Sequence, residues 1–493
     1  MDNIEQFYNS QRFAKLRQDV MLDLTASIDE VNVFLTKYSK KSIIKALAAP
    51  ESASSVKTLR EVSRFFYFAS LHYRRAVTML ATLMTNNYTL RETSDVRAAN
   101  ADLAFENFYL LAHECKKYNF KHINPWLATH TIVDGVFYGL IYETKDTFFI
   151  KPCLHEYCKI YSIEDGVRRF AFDLNYFNTK TRLALIDQYG VEFVNAYIAY
   201  KGDKERGIVG DKTKRWFVPR DQICLKFDEE FPYCLPPLAG VFKAIIDLDT
   251  YEEIKKDKAI LDNYKLIHMR MSTDSDGVPT LPYEQAKKYY DMSSAVVPEG
   301  IGITMSPFAI DAITLKDSSD NDKDYTKEAT RDLFNNLGIS PILFGITDNA
   351  TSQTLELSIR TDESMMLKLL RQIEKFFNIK IRKLKNSAKE NIGLRICFLD
   401  QSVFNRDKVA DRLQKAATYA LPAKLMYAAA IDLEPIDIIG SSFLENSVLK
   451  CGDEIFNRPL ISSNTLSNGE VGRPETDNPT DSTEQNSTTN DYK

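Results

Sequence analysis

The sequence is short of the features that announce an enzyme or a membrane protein. It has no Gly-x-x-x-x-Gly-Lys-Ser/Thr loop and no His-Glu-x-x-His, and Gly300-Ile-Gly302 lacks the third glycine and the strand-to-helix setting of a dinucleotide fingerprint. Six histidines (His72, His113, His122, His130, His155, His268) stand without a nucleophile beside them. Carboxylate pairs such as Asp247/Asp249 and Asp317/Asp320 fall where a solvated face explains them. No catalytic residue, metal ligand or cofactor is therefore nominated. Cysteine is sparse and irregular: seven residues, at 115, 153, 158, 224, 234, 397 and 451, read as reduced thiols rather than a disulfide framework. Cys153-Leu-His155-Glu-Tyr-Cys158 can be drawn as a metal cluster, but it lacks a second ligand pair.

Long apolar runs are missing too. The most apolar region, Ala295 to Leu315, is broken by Pro298, Glu299, Gly300, Gly302, Pro307 and Asp311, and no run of about 18 uncharged apolar residues occurs. The N-terminus lacks a basic-then-apolar signal, so the expected setting is a cytoplasm, or export within a larger particle. Positive charge is also not in excess. The net charge is -5, of which -4 belongs to the residues from Ile461 onward, leaving the body near neutral. A large basic face gripping nucleic acid needs many uncompensated Lys and Arg, and that mode is excluded.

What is present is helix, with one sheet region. Leu59, Val62, Phe66, Ala69, Tyr73, Val77 and Leu80 recur at helical spacing within Ser55 to Thr85, and Arg60, Arg64, Arg74 and Arg75 between them read as solvated. A further helix is expected near Thr93 to Lys117. From Thr129 the texture turns to β-branched and aromatic runs, with Ile132, Val136 to Tyr142 and Thr147 to Ile150 separated by Lys145-Asp146. Tyr157 to Tyr161 and Val167 to Phe172 follow around Glu164-Asp-Gly166, giving a small antiparallel sheet. A helix near Thr179 to Ala199 and strands at Arg215 to Val218 and Gln222 to Phe227 come next.

After Phe231-Pro-Tyr-Cys-Leu-Pro-Pro237, an apolar stripe from Val241 to Met271 predicts one long helix with a heavily charged middle, Glu252 to Lys258. Neighbouring copies of such a helix in a ring would satisfy both faces. A turn-rich segment, Ser272 to Asn321, separates it from a helix-loop-helix over Asp324 to Asn378. There Tyr325, Ala329, Leu333 and Leu337 share a face, Gly338 is placed as a C-terminal cap, and Ser340-Pro341 enforces an extended step. The second helix starts close to Thr351 and carries Leu355, Ile359, Met366, Leu369, Leu370, Ile373, Phe376 and Phe377 on one stripe. A strand at Leu394 to Leu399 and helices at Arg406 to Tyr419, Pro422 to Ala430 and Pro435 to Leu449 complete the ordered part. The polar, acidic tail is expected to be disordered.

Five stretches in this order resemble the portal proteins of tailed bacteriophages, and more narrowly those of siphoviruses infecting Gram-positive hosts. They are Leu59-Arg-Glu-Val-Ser-Arg-Phe-Phe-Tyr-Phe-Ala-Ser-Leu-His-Tyr-Arg74; Gly135-Val-Phe-Tyr-Gly139 with Tyr157-Cys-Lys-Ile160; Pro236-Pro-Leu-Ala-Gly240; Gly338-Ile-Ser-Pro-Ile-Leu-Phe-Gly345; and Gly472-Arg-Pro474. The resemblance implies an α+β, mainly helical fold of wing, stem, clip and crown with a small antiparallel sheet, assembling as a ring, by family a dodecamer. By position, it implies an N-terminal wing with the sheet over residues 1–235, a long stem helix over 236–271, a clip insertion over 272–322 and a second stem helix over 323–338. A tunnel loop over 339–352 follows, then a wing helix and strand over 353–399, a helical crown over 400–455 and the tail over 456–493.

The loop facing DNA would present Thr347, Asp348, Asn349, Ala350, Thr351 and Ser352. In a cyclic ring each residue repeats once per subunit, so a single lysine there would become a belt of charge holding phosphates. No Lys or Arg occurs between Gly338 and Arg360, which suits a surface over which DNA slides. The implied role is the ring at one capsid vertex for DNA packaging and ejection, and the chain is then no enzyme. The implied partners are copies of itself, the terminase large subunit, head-completion or adaptor proteins, the major capsid protein with scaffold protein as a further candidate, and double-stranded DNA passing without sequence specificity. No membrane is involved, and the location is the virion's portal vertex, with the host cytoplasm during assembly. Two other classes remain open at this stage: a cytosolic enzyme or accessory factor of nucleic-acid metabolism with the 129–172 sheet as its core, and a helical scaffold with no DNA role.

Overall fold

The computed structural model describes residues 40–93, 101–202, 215–247, 265–270, 274, 280–296, 301–306, 331, 333, 352–387 and 390–450. The chain opens with α1 (Lys40–Ala48), α2 (Ala53–Ala69) and α3 (Leu71–Ala81). The single helix expected through this region is two. Ser70 is extended (φ -101°, ψ 114°), and its hydroxyl accepts the Tyr73 N–H to cap α3. A cap that satisfies the second helix costs the first its continuation, while Leu59, Val62, Phe66, Tyr73, Val77 and Leu80 all still reach the core.

Strand β1 (Tyr88–Glu92) follows, between the two expected helices and in a stretch where no strand was expected. Then come α4 (Ala101–Tyr118) and α5 (Phe120–Asp134). Residues Thr129 to Asp134, Ile132 included, are helix and not the start of the sheet, because α5 runs on to Gly135, which closes it in the left-handed conformation.

The sheet region divides in two. Strands β2 (Val136–Glu143) and β3 (Phe148–Pro152) form a hairpin, and β4 (Cys158–Glu164) and β5 (Val167–Asp173) form another around Asp165 and Gly166, both at positive φ. The helix expected near Thr179 to Ala199 is three short ones, α6 (Lys180–Leu183), α7 (Ile186–Tyr189) and α8 (Val191–Lys201), the last two separated by Gly190 at φ 109°. Strand β6 (Trp216–Phe217) extends β4–β5, and β7 (Gln222–Lys226) extends β3–β2, so two three-stranded antiparallel sheets result. Val136, Tyr138, Phe170, Phe172, Phe177, Tyr189 and Phe193 fill one core across the two sheets, α7 and α8.

Beyond Phe227 the chain is helical again from Phe242 to Asp247. The expected helix does not continue to Met271: Lys265–Arg270 is strand β8. It pairs in parallel with β9 (Ile301–Ser306), and α9 (Tyr283–Val296) lies between them in sequence, a β-α-β unit whose first strand falls in the span expected to be the long stem helix and whose other two elements fall in the span expected to be the clip. The parallel pair also departs from a purely antiparallel sheet content.

The long helix α10 (Ser352–Ile381) brings the chain back. It starts where expected and buries Ile359, Met366, Leu369, Leu370, Ile373, Phe376 and Phe377. Its polar residues close the edges of neighbouring strands. Gln372 donates to Lys226 O (2.8 Å) and accepts from Lys226 N (3.2 Å); Asn378 does the same with Ile396 (2.9 and 2.8 Å); Glu374 accepts Phe398 N–H at 2.8 Å. Strand β10 (Leu394–Phe398) then pairs with β1, Tyr88 opposite Phe398. Around them Tyr88, Tyr118, Phe120, Phe148, Phe377 and Phe398 form edge-on or tilted ring contacts at 4.9 to 6.2 Å. Each such pair contributes roughly 0.5–1.5 kcal/mol beyond the area it buries.

Helices α11 (Arg406–Thr418) and α12 (Lys424–Ala430) pack through Val409, Leu413, Ala429 and Ala430 with Leu399. Fully buried Gln401 ties them to the body, accepting from Asn87 Nδ2 (2.9 Å) and donating to Ala430 O (3.0 Å). Residues from Ile436 form a second compact unit, in which α13 (Pro435–Phe443) passes into a π turn over Leu444–Val448. The N-terminal 39 residues, most of the second stem helix and the tail lie outside the described residues. Of that stem helix, Arg331 and Leu333 are described, both helical, with Leu333 fully buried.

Candidate functional site at the root of the excursion

The helical turn Phe242 to Asp247 is the last described stretch before residue 265, and it is fastened to the body at several points, Asp247 pairing with Lys40. Phe242 is fully buried against Phe66 (ring centroids 5.5 Å) and Tyr73 (5.8 Å), with Val241 and Ile245 buried beside it. One turn of helix thereby ties the outgoing chain to both arms of the α2–α3 corner.

A polar node sits next to this cluster. Asp134, the last residue of α5, is almost fully buried and accepts Arg64 Nε at 2.7 Å on Oδ1. A second Arg64 nitrogen reaches His155 Nδ1 at 2.7 Å, and His155 Nε2 lies 2.8 Å from Val136 O. Because arginine only donates and a carbonyl only accepts, these contacts fix the neutral tautomer with the proton on Nε2. Arg60 donates to Asp134 O (3.0 Å) and to Cys234 O (2.8 Å), joining the α5 terminus to the loop that leads into the Phe242 helical turn. Ser63 bridges Tyr73 Oη (2.8 Å) and Val133 O (2.6 Å). Gly135 completes the arrangement: at φ +76°, a Cβ there would lie 2.0 Å from Leu235 O. Arg60 and Arg64, expected to be solvated, are therefore structural cross-links, while Arg74 and Arg75 are exposed as expected.

The charges follow from the geometry. Burial drives the His155 pKa down to about 4, with Arg64 and Arg60 pushing the same way and Asp134 opposing them. Burial works against the Asp134 carboxylate, yet its cationic neighbours outweigh that and hold it below the ordinary value. His155 is charged only below about pH 4, so near neutrality Arg64 is the cation that does this. For Arg64, burial opposes the charge and Asp134 more than compensates, raising its pKa.

Both ring nitrogens of His155 are thus occupied, and the Cys153-His155-Cys158 stretch has no free imidazole to offer a metal. Burial lifts the Cys158 thiol well above the usual range, Cys153 adding to the effect, so that sulfur is a packing atom at neutral pH. Among the described residues no group of three or more His, Cys, Asp or Glu could hold a metal ion. No described helix is long and apolar enough to cross a membrane.

Of the nominated loop, Thr347, Asp348, Asn349, Ala350 and Thr351 lie outside the described residues, and Ser352 is the first residue of α10. Sequence reasoning missed Asp134. The signal for it was present: a lone carboxylate inside Thr131-Ile-Val-Asp-Gly-Val-Phe137 has to be paired if that run is buried.

No protein-family model matches the chain, and no curated protein matches it. Among solved structures, it is similar to a chain of the virion of a native gene transfer agent particle: 14% identity, 78% of this chain and 99% of that chain covered, TM-score 0.39. It is also similar to a chain from the neck of the native particle computed with C12 symmetry, at 13% identity, covering 74% of this chain and 94% of that one, TM-score 0.37. A chain from the neck of the empty particle computed with C6 symmetry gives 13%, 73%, 94% and 0.37.

Proposed function

We propose that this chain is the subunit of a portal ring, the assembly at one capsid vertex through which double-stranded DNA is packaged and ejected. The observation that carries the reading is how the two ends of the chain close on each other. Residues 40–247 and 352–430 are joined into one body by the β1–β10 pairing, the aromatic cluster and the side chains of α10, although about a hundred residues separate the two parts in sequence. A body closed across a long intervening stretch is what the order wing, stem, clip, stem, wing, crown implied by the sequence resemblance requires. A ring subunit that carries force needs its projecting element rooted in a fixed body, and the Phe66–Tyr73–Phe242 cluster with the Arg64–Asp134–His155 node supplies such a root.

On this reading the clip takes in the whole β-α-β unit and so begins by Lys265 instead of at 272, and terminase and head-completion proteins dock there. The loop over 339–352 lines the channel, and the body contacts capsid and scaffold proteins. DNA slides past without its phosphates being held, since the loop carries no Lys or Arg to grip them.

Electron microscopy of the purified protein, with mass measured on the same sample, tests the proposal. Radially symmetric rings with a channel wide enough for duplex DNA are the expected result. Particles of 56.4 kDa or twice that mass, persisting across salt and protein concentration, would end the portal reading.

A further inference from the structure

We infer that Cys153 and Cys158 are an oxidisable pair, joined by a disulfide when the protein passes from a reducing to an oxidising medium, and that this bond closes the turn carrying His155. The pair itself does not depend on the portal reading. Only the occasion for its oxidation, release of a particle from the cell, rests on that reading.

The two residues bracket a short turn. Cys153 follows the last residue of β3, and its N–H donates to Tyr138 O at 2.8 Å, so the sheet fixes its backbone. Cys158 opens β4 opposite Phe172. Between them Leu154 to Tyr157 make one tight turn, in which Tyr157 N–H donates to Leu154 O at 3.0 Å. Ends held by strands on either side of so short a turn bring both side chains into one core beside Tyr138 and Phe170. There the two thiols share a hydrogen bond. Sulfurs already in such contact reach bonding distance by side-chain rotation.

A third thiol is near but differently held. Cys224 lies in the same core and adds to the rise in the Cys158 pKa. It sits in the middle of β7, however, opposite Tyr138 of β2, and drawing it to Cys158 would strain that ladder. A metal has no claim on the pair either, since both nitrogens of His155 are engaged.

Cys153 is 6% exposed and Cys158 9%, so a small peroxide is the oxidant that fits the site. One thiolate displaces hydroxide from the O–O bond and becomes a sulfenic acid. The second sulfur then displaces the sulfenic hydroxyl, which leaves as water with the second thiol's proton as the S–S bond forms. The two sulfurs give up two electrons, and the peroxide is reduced to two waters. Burial, which holds Cys158 as the thiol, makes the first step slow. Adjacency favours the second and protects the sulfenic acid from further oxidation.

The consequence falls on the polar node. His155 holds Arg64 on one nitrogen and Val136 O on the other, and its own backbone belongs to the turn that the bond closes. Closing residues 153–158 into a ring removes freedom from the unfolded chain and resists local opening of that turn.

The test uses the full-length protein, held overnight at pH 8 with or without millimolar hydrogen peroxide, then unfolded in an alkylating agent and digested with trypsin without reductant. Both cysteines fall in one peptide, Asp146 to Lys159. After oxidation it should carry no alkyl group and be lighter by two hydrogens than the reduced form, whereas the untreated peptide should be alkylated twice. The melting temperature should rise by about 2–4 °C and return on adding a thiol reductant. Cys153→Ser should leave a sulfenic acid at Cys158 that dimedone captures, and Cys224→Ala should leave the bond unchanged. Two alkylated cysteines after peroxide, sulfinic or sulfonic acid in place of the bond, or a link from Cys158 to Cys224 would each overturn the inference. A protein that forms the bond but never assembles into rings would keep the pair and remove the portal reading.

Discussion

The Arg64–Asp134–His155 node makes a prediction whose size can be worked out. His155 has an ordinary pKa of 6.5 and a folded value of about 4. Its folded pKa is depressed, so between these values the unfolded chain binds the proton and the native state does not. The stabilisation is therefore complete above pH 6.5 and is lost progressively as pH falls towards 4. A separation of about 2.5 units corresponds to roughly 3 kcal/mol, an upper bound because the side chain keeps 11% exposure. His155→Gln removes the titration. At pH 7.5 the variant should be less stable by about 1–3 kcal/mol, the cost of stranding Arg64 and Val136 O. As the pH falls to 4 that gap should close or reverse, because only the wild type pays for protonation.

Urea unfolding of both proteins at half-unit steps from pH 4 to 7.5 reads the difference directly. Asp134 does not blur it, since a depressed carboxylate costs stability only as pH falls below its ordinary 3.8. Parallel curves for wild type and variant over the whole range would refute the assignment of a buried, neutral His155.

Three further predictions are simpler. Gly135→Ala should destabilise the protein by several kcal/mol, because it adds about 1–2 kcal/mol of left-handed backbone strain to a collision with the Leu235 carbonyl; a thermal shift of only a degree or two would mean the loop around Leu235 is free to move away. Asp362 is buried with Oδ2 unpartnered among the described residues, and burial, with Glu363 adding to it, raises its pKa to about 6. A raised carboxylate stabilises fully below 3.8 and loses that contribution as pH rises through 6, so Asp362→Asn should be more stable than wild type at pH 7.5, by up to about 3 kcal/mol, and no more stable at pH 4. Bulky or cationic replacements of Asn349 or Ala350 should leave rings intact and impair DNA packaging in a complementation assay; normal packaging would remove these residues from the channel wall.

Local chemistry made much of this fold legible in the sequence. Both hairpins, β7, β10, α10 and the helices from Arg406 onward follow from period-two or helical spacing bounded by turn residues. The misses have particular causes. Ser70 and Gly190 each end one helix by serving the next, and the stripe of apolar residues continues across the break. Residues 265–270 satisfy both periods, with Leu261, Tyr264, Ile267 and Met271 at helical spacing and Lys265, Ile267 and Met269 alternating, and pairing with β9 decides for strand. Strand β1 owes its existence to a partner about 300 residues away. The polar node was not legible for the same reason: Arg60 meets a carbonyl 174 positions distant, and no spacing rule reaches that far. The channel loop rests on the order of motifs along the chain and not on any geometry.

The pairing of Thr93 with Gly393, and of Tyr88 with Phe398, has a consequence for how the protein is made. A nascent chain that has already produced β1 cannot complete this sheet until some 300 further residues have left the ribosome, about 15–60 s at ~5–20 residues per second. Throughout that interval the β1 edge and the aromatic face of α4 and α5 lack their cover. Contacts this distant in sequence also close slowly. On the proposed ring reading, a subunit built this way withholds a finished body until its synthesis is nearly over, which separates folding from assembly in time.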